Sequence, residues 1–244
     1  MRKLLWFLLC FVAYSAAGAA IDGAQILQKV DRNLDPESYE SYRKLIDIQP
    51  DGTRKEYVLY TMKKGRDKVA ALFLSPASDK GRVTLRLGDN MWLYIPNVGK
   101  PIRITSLQSV TGSIFNNADI LRVDYTAEYN VEAADEQPDA IVLSLKAKTG
   151  EVAYDRLKMW VDKRQLLPVT IECYAASGLL IKTLHFKDVK DFGNGIKRPA
   201  MLETDSPLHK GYKSVMLWSG LKKASFPDEI FTLNYLPRIE DLRK

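Results

Sequence analysis

Hydrophobic and polar residues alternate with a period of two along most of this chain, and the departures from that rhythm mark its other elements. Residues 22–34 depart first. Ile26, Leu27, Val30 and Leu34 recur at helical spacing, Asp22 stands where an N-cap belongs, and Pro36 forbids continuation. Period two takes over from about Ser38. The runs 39–48, 56–62, 68–74, 82–87, 91–95 and 101–105 are rich in β-branched, aromatic or alternating residues. Turn chemistry bounds them: Pro50-Asp51-Gly52, Lys64-Gly65, Ser75-Pro76 and Gly88-Asp89-Asn90. Residues 111–118 (TGSIFNNA) break the pattern and predict a loop or short helix. Strands resume at 125–131, 140–147, 154–161, 168–174, 179–186, 200–203 and 213–220. A short helix is expected to close the chain, with Ser225 as cap, Pro227 in its first turn and Ile230, Phe231 and Leu233 on its apolar side. Strands joined by short turns, without interleaved long helices, predict a mainly β fold, an antiparallel meander with few helices.

One hairpin predicts which face is buried. A two-residue turn at Gly88-Asp89 or Asp89-Asn90 sets odd positions before it against even positions after it. Val83, Leu85 and Leu87 then share a face with Trp92 and Tyr94, and this wholly apolar set is expected to point into the concave core. The opposite face carries Arg82, Thr84 and Arg86 with Met91, Leu93 and Ile95. Its arginines are expected in solvent, and its three apolar residues beneath a helix, loop or partner.

Composition adds a compartment. Arg2 and Lys3 precede an uncharged apolar run at 4–14, and small residues follow at 15–20 (SAAGAA). That is the pattern of a secretory signal peptide, too short to span a bilayer permanently, with cleavage expected after Ala19 or Ala20. Cys10 sits inside the apolar run, followed by Phe11 and Val12, which does not fit lipoprotein attachment. The expected organisation is a signal peptide at 1–20 and one domain at 21–244, in the periplasm and soluble. Loss of Arg2 and Lys3 lowers the net charge from +6 to +4, too small and scattered for nucleic acid. Cys173 is the remaining cysteine, so stability has to come from a core and not from an internal disulfide.

Catalytic patterns are sparse. His185 lies in an alternating strand, and residues 205–209 (DSPLH) contain the letters of a hydrolase triad without a nucleophile elbow. Cys173 lacks a CxxC partner, and Gly193-Asn194-Gly195 precedes a strand and not a helix. These residues predict no catalytic centre, metal site or cofactor.

Residues 88–104 (GDNMWLYIPNVGKPIRI) and 111–120 (TGSIFNNADI) resemble the LolA-like outer-membrane lipoprotein-sorting family of Gram-negative bacteria. Met159-Trp160-Val161-Asp162, Leu167-Pro168-Val169, residues 176–180 (ASGLL) and Phe186-Lys187-Asp188-Val189 extend the resemblance over nearly all the mature chain. It implies a strongly curved antiparallel sheet forming an incomplete barrel, closed by an N-terminal helix and short helices or loops. The implied function is a monomeric periplasmic carrier that holds the acyl chains of lipoproteins or another lipid in an apolar concavity. An inner-membrane transporter is the implied donor and an outer-membrane protein the acceptor. A sensor of envelope polypeptides on the same half-barrel is the alternative. The family's best-known carrier latches its lid with an Arg-Pro pair on an early strand, whereas the comparable strand here ends in Ser75-Pro76.

Within this framework the expected cavity wall is Leu72, Leu74, Val83, Leu85, Leu87, Trp92, Tyr94 and Trp160. The expected movable cover is residues 113–119, with Ile114 and Phe115, together with Ile26, Leu27 and Val30 of the first helix. Burying an acyl chain of roughly fifteen carbons is worth on the order of 12 kcal/mol. A carrier that must also release its cargo therefore needs a competing occupant of the same apolar surface.

Overall fold

In the computed structural model residues 21–243 are described, and the signal-peptide expectation for residues 1–20 lies outside them. Helix α1 (Gly23–Leu34) starts where Asp22 accepts a hydrogen bond from the Gln25 N–H at 2.9 Å. Its first residue has to be small: a Cβ on Gly23 would lie 2.8 Å from the Val131 Cγ1 and 2.9 Å from the Ala134 Cβ.

Six strands follow: β1 (Tyr39–Ile48), β2 (Arg54–Lys64), β3 (Lys68–Ser75), β4 (Val83–Leu87), β5 (Asn90–Tyr94) and β6 (Ile102–Ile104). Two single-turn helices, α2 (Asn117–Ile120) and α3 (Tyr125–Glu128), interrupt them. Seven more strands complete the sheet: β7 (Tyr129–Glu136), β8 (Ala140–Ala147), β9 (Arg156–Asp162), β10 (Pro168–Tyr174), β11 (Leu180–Asp191), β12 (Lys197–Asp205) and β13 (Lys213–Lys223). The chain ends in two 3₁₀ segments, Asp228–Phe231 and Leu236–Arg243, in place of one closing α-helix. Tyr125–Glu128 is also helical, not the start of a strand. Asp31 of α1 accepts from the Tyr125 and Thr126 N–H groups at 2.8 and 2.9 Å, satisfying donors that a helix start leaves free.

All 13 strands form one antiparallel sheet in the order β6-β5-β4-β3-β2-β1-β13-β12-β11-β10-β9-β8-β7. Two meanders, β1 to β6 and β7 to β13, are thus joined along β1 and β13, with nine residue pairs from Tyr39↔Lys223 to Ile48↔Lys213. The edge strands β6 and β7 do not pair, so the sheet is not closed. They are nevertheless consecutive in sequence. The connection, residues 105–128, has to pass from one edge of the sheet to the other, and it does so across one face. Strong curvature shortens that path: the Ser106 hydroxyl, just beyond β6, donates to the Glu151 carbonyl in the β8–β9 turn at 3.0 Å.

The inner face, which carries α1 and the connection, holds one apolar cluster. Leu27, Val30 and Leu34 of α1 and Phe115, Ile120 and Tyr125 of the connection meet Phe73, Leu157, Ile171 and Phe186 of the sheet there. A second cluster lies on the outer face of β2 to β5, covered by Phe226, Ile230, Phe231, Leu236 and Ile239 of the C-terminal segment.

Of the two turns the sequence allows the hairpin uses Gly88-Asp89, with Val83 opposite Tyr94 and Leu85 opposite Trp92, and these residues share a face as parity predicts. The assignment of faces is corrected. Val83, Leu85, Leu87, Trp92 and Tyr94, with Leu72 and Leu74, belong to the outer cluster under the C-terminal segment. Thr84, Arg86 and Met91 face inward and are buried. Two layers cover this part of the sheet, one on each side, so an apolar set on a strand does not by itself identify the concave side.

Candidate functional site

Five basic side chains rise from five strands of the inner face and fasten the connection and α1. Arg43 on β1, 3% exposed, donates through Nη1 to the Ile120 carbonyl at 2.6 Å and through Nη2 to the Tyr39 hydroxyl at 2.9 Å. Lys63 on β2 meets the Asp124 carboxylate at 2.6 Å. Arg86 on β4 pairs with Glu128 of α3 at 2.5 Å and donates to the Leu121 carbonyl at 3.4 Å. Lys182 on β11 binds the Asp119 carboxylate at 2.8 Å and also donates to the Ile114 carbonyl. Arg198 on β12, 1% exposed, pairs with Asp35 at the end of α1, which also binds Arg122 of the connection. On β13, the Ser214 hydroxyl accepts from the Ile114 N–H at 3.1 Å and donates to Asp47 at 2.6 Å.

The connection is also ordered from within. Asn116 and Asp119 form a reciprocal capping box at the start of α2. The Tyr154 hydroxyl donates to Asp119 at 2.9 Å and accepts from the Asn116 amide at 2.8 Å. Burial, with the Asp119 charge beside it, raises the Tyr154 phenol well above its ordinary value, so it stays a donor. Burial likewise raises the Cys173 thiol and keeps it protonated.

Between the connection and β9 to β13 lies a cavity lined by Arg43, Tyr125, Tyr154, Ile171, Phe186 and Trp218, among others. Its volume is about 40 Å³. That admits on the order of two or three water molecules. Pockets for drug-sized ligands measure roughly 300–1,000 Å³. In this state Phe115, Ile120, Tyr125 and α1 fill the inner face themselves.

The predicted site residues therefore separate into two groups. Ile26, Leu27, Val30 and Phe115 pack in or against the inner cluster, and Ile114 is buried beside Ser214. None of the eight residues expected to form the wall lies on that face. Seven are under the C-terminal segment, and Trp160 points outward beneath Lys158, whose Nζ is 4.9 Å from the ring centre. Their neighbours at the other parity, Val69, Ala71 and Phe73 on β3 and Leu157, Met159 and Val161 on β9, line the inner face instead.

A family model described as "Uncharacterized protein" matches residues 65–238. The chain belongs to that family. Its fold is that of the LolA superfamily, as solved structures show. The LolA superfamily protein from Nitrosomonas europaea is 28% identical with a TM-score of 0.80, over 88% of this chain and 100% of that one. A DUF1329 family protein from Desulfovibrio piger is 24% identical with a TM-score of 0.76, over 88% and 97%. A putative outer membrane lipoprotein-sorting protein domain from Vibrio parahaemolyticus is 21% identical with a TM-score of 0.75, over 88% and 98%. The last two establish the fold alone. No curated protein matches the chain.

Within this LolA-type frame the triad letters at 205–209 make local turn and strand contacts. The Ser206 hydroxyl donates to the Ile181 carbonyl and accepts from the Leu208 N–H at 3.2 Å, and the His209 link to Ser206 runs through backbone atoms. His185 meets Asp205 at 3.1 Å on the outside of the sheet. Among the described residues no group of three His, Cys, Asp or Glu could hold a metal ion, and no helix is long and apolar enough to cross a membrane.

The buried basic side chains are what the sequence reading missed. A signal for them exists. Lys182 shares parity with Leu184 and Phe186, Arg198 with Ala200 and Leu202, and Arg43 with Tyr39 and Leu45, and all of these are buried. A cation in step with an apolar period-two set has no route to solvent and requires a partner above the sheet.

Proposed function

We propose that this chain is exported by residues 1–20 and that its mature part, 21–244, works as one domain in the periplasm. There it carries the acyl chains of a lipoprotein or another lipid between the inner and outer membranes. The observation that carries this reading is the connection at 105–128. It lies on the apolar inner face of an open sheet without being a strand of it, and polar side chains fasten it there. An acyl chain and this segment would compete for the same surface, with Phe115 as the occupant the cargo displaces. The wall is then Phe73, Leu157, Met159, Ile171, Leu184 and Phe186, all in the inner cluster. The similarity to the LolA superfamily protein of Nitrosomonas europaea supports the same role.

The test is lipid capture. Native protein recovered from an envelope fraction is expected to hold acyl lipid in stoichiometric amount by mass spectrometry. Delipidated protein is expected to extract a pyrene-labelled acyl lipid from vesicles. Protein that arrives lipid-free and extracts nothing would refute carriage.

A further inference from the structure

The inner-face cavity is apolar along one side and cationic along the other. Leu157, Ile171, Leu184, Phe186 and Leu202 form the first side, and Arg43, Arg122 and Arg198 the second. Trp218 sits among the cations: the Arg198 guanidinium lies 4.6 Å from its ring centre and that of Arg43 5.5 Å.

Charge around the cavity does not balance. Asp119 is matched by Lys182 and Glu128 by Arg86. Arg122 and Arg198 share the single carboxylate of Asp35, and Arg43 pairs with no carboxylate, bonding only a carbonyl and a phenol. Three guanidinium groups, two of them buried and that of Arg122 partly exposed, thus have the carboxylate of Asp35 among them, while the buried Asp31 carboxylate of α1 is taken up by the Tyr125 and Thr126 N–H groups. Burial, with Arg122 and Arg43 nearby, pushes the Arg198 guanidinium down to about 9, which still leaves it charged at neutral pH.

Hydrogen bonding is incomplete at the same spot. Among the described residues the buried Arg43 Nε, Trp218 Nε1 and Tyr125 hydroxyl have no partner, and all three residues line the cavity. Each can donate, and buried donors without acceptors are rare in folded proteins. Unmatched cations and unmatched donors at one point call for a single kind of group, an anionic acceptor.

We infer that the cavity beside Trp218 is a subsite for the anionic head group, a carboxylate or phosphate, of an acyl-chain amphiphile. The inference rests on the carrier reading and narrows it. The head group takes up Arg43 and Trp218, and the chain runs over Leu157, Ile171 and Phe186 once the connection lifts.

Affinity of the delipidated full mature chain for hexadecanoate, hexadecyl phosphate and hexadecanol, measured by displacement of the neutral probe N-phenylnaphthylamine, tests it. The acids are expected to bind at least about tenfold more tightly than the alcohol, the scale of a charge-assisted hydrogen bond. Arg43→Gln and, separately, Trp218→Phe should shrink the acid-to-alcohol affinity ratio at least about threefold, read within each variant because loosening the bond to the Ile120 carbonyl shifts affinity for all three ligands alike. Equal binding of acids and alcohol by the wild type would overturn the subsite and leave the carrier reading standing. Failure of all three to bind would overturn carriage as well. Inorganic phosphate that competes as well as hexadecyl phosphate would mean a free-anion site, which also overturns the proposal.

Discussion

Replacing Lys182 by Met should release the cover without unfolding the sheet. The Lys182 ammonium reaches the connection at two points, the Ile114 carbonyl and the Asp119 carboxylate, and the two ionic side chains are only 4% and 3% exposed. Methionine keeps the apolar stem and removes the charge, leaving Asp119 with the Tyr154 hydroxyl and the Asn116 N–H. An uncompensated buried charge of this kind costs about 3–5 kcal/mol. A connection that moves as a unit carries Asp119 into water when it lifts, so the cost falls on the closed state alone. At 1.4 kcal/mol per factor of ten, 3 kcal/mol raises the open fraction more than 100-fold. Native-state hydrogen exchange reads this directly. The Ile114 N–H, bonded across to the Ser214 hydroxyl of β13, should lose about two orders of magnitude of protection. The amides between β1 and β2 should keep theirs. Affinity for an acyl probe should rise, because the binding-competent state is no longer a small fraction. Adding Asp119→Asn should restore part of the protection by removing the stranded charge. Equal loss of protection in the connection and in β1–β2, with unchanged probe affinity, would show that the segment is ordinary core and refute the reasoning.

Two further expectations probe other parts of the molecule. Ile230 is fully buried over the outer face, so Ile230→Ala should cost about 2–5 kcal/mol in urea denaturation while leaving acyl-probe affinity unchanged; a change in affinity would mean that the two faces are coupled. Burial raises the Asp47 carboxyl above its ordinary value against the pull of Ser214, so the native state binds more protons than the unfolded one between their two pKa values. Stability from this group therefore falls as pH rises through that interval. Asp47→Asn keeps the acceptor for Ser214 and neutralises the unpartnered Oδ2. It should add about 1 kcal/mol near neutral pH, fading in acid, and a gain independent of pH in thermal melts would contradict the cause given.

Much of the architecture is legible in the sequence because period two survives in nearly every strand. Either two-residue turn, Gly88-Asp89 or Asp89-Asn90, predicts from parity alone that Leu85 and Trp92 share a face, and the pairing Leu87↔Asn90 selects the first. What parity leaves open is which face is concave, and here both faces of β3 are apolar, Val69, Ala71 and Phe73 on one and Ala70, Leu72 and Leu74 on the other. The outer face belongs to a C-terminal segment whose anchors, Ile230 and Phe231, are visible as a short apolar run but carry no sign of where they dock. Arg86 reads as a solvated strand residue until Glu128 is placed above it by a helix more than forty residues away in sequence.

The choice of charges over more leucines on the inner face has a physical consequence. Replacing a buried ion pair by apolar residues of similar volume is often neutral or stabilising by about 1–4 kcal/mol. A cover fastened by Lys63, Arg86 and Lys182 therefore sits less deeply bound than an apolar one would. Its alignment is nonetheless tightly specified, because each cation accepts only a partner at the right distance and direction. On the proposed carrier reading, lifting of the cover would return its carboxylates to water, while the cations would remain on the sheet beneath whatever replaces it. An acyl chain in its place would satisfy the apolar positions and leave those cations wanting acceptors. The feature that would make such a cover removable would thus favour a cargo with an acid at its end over a purely apolar one.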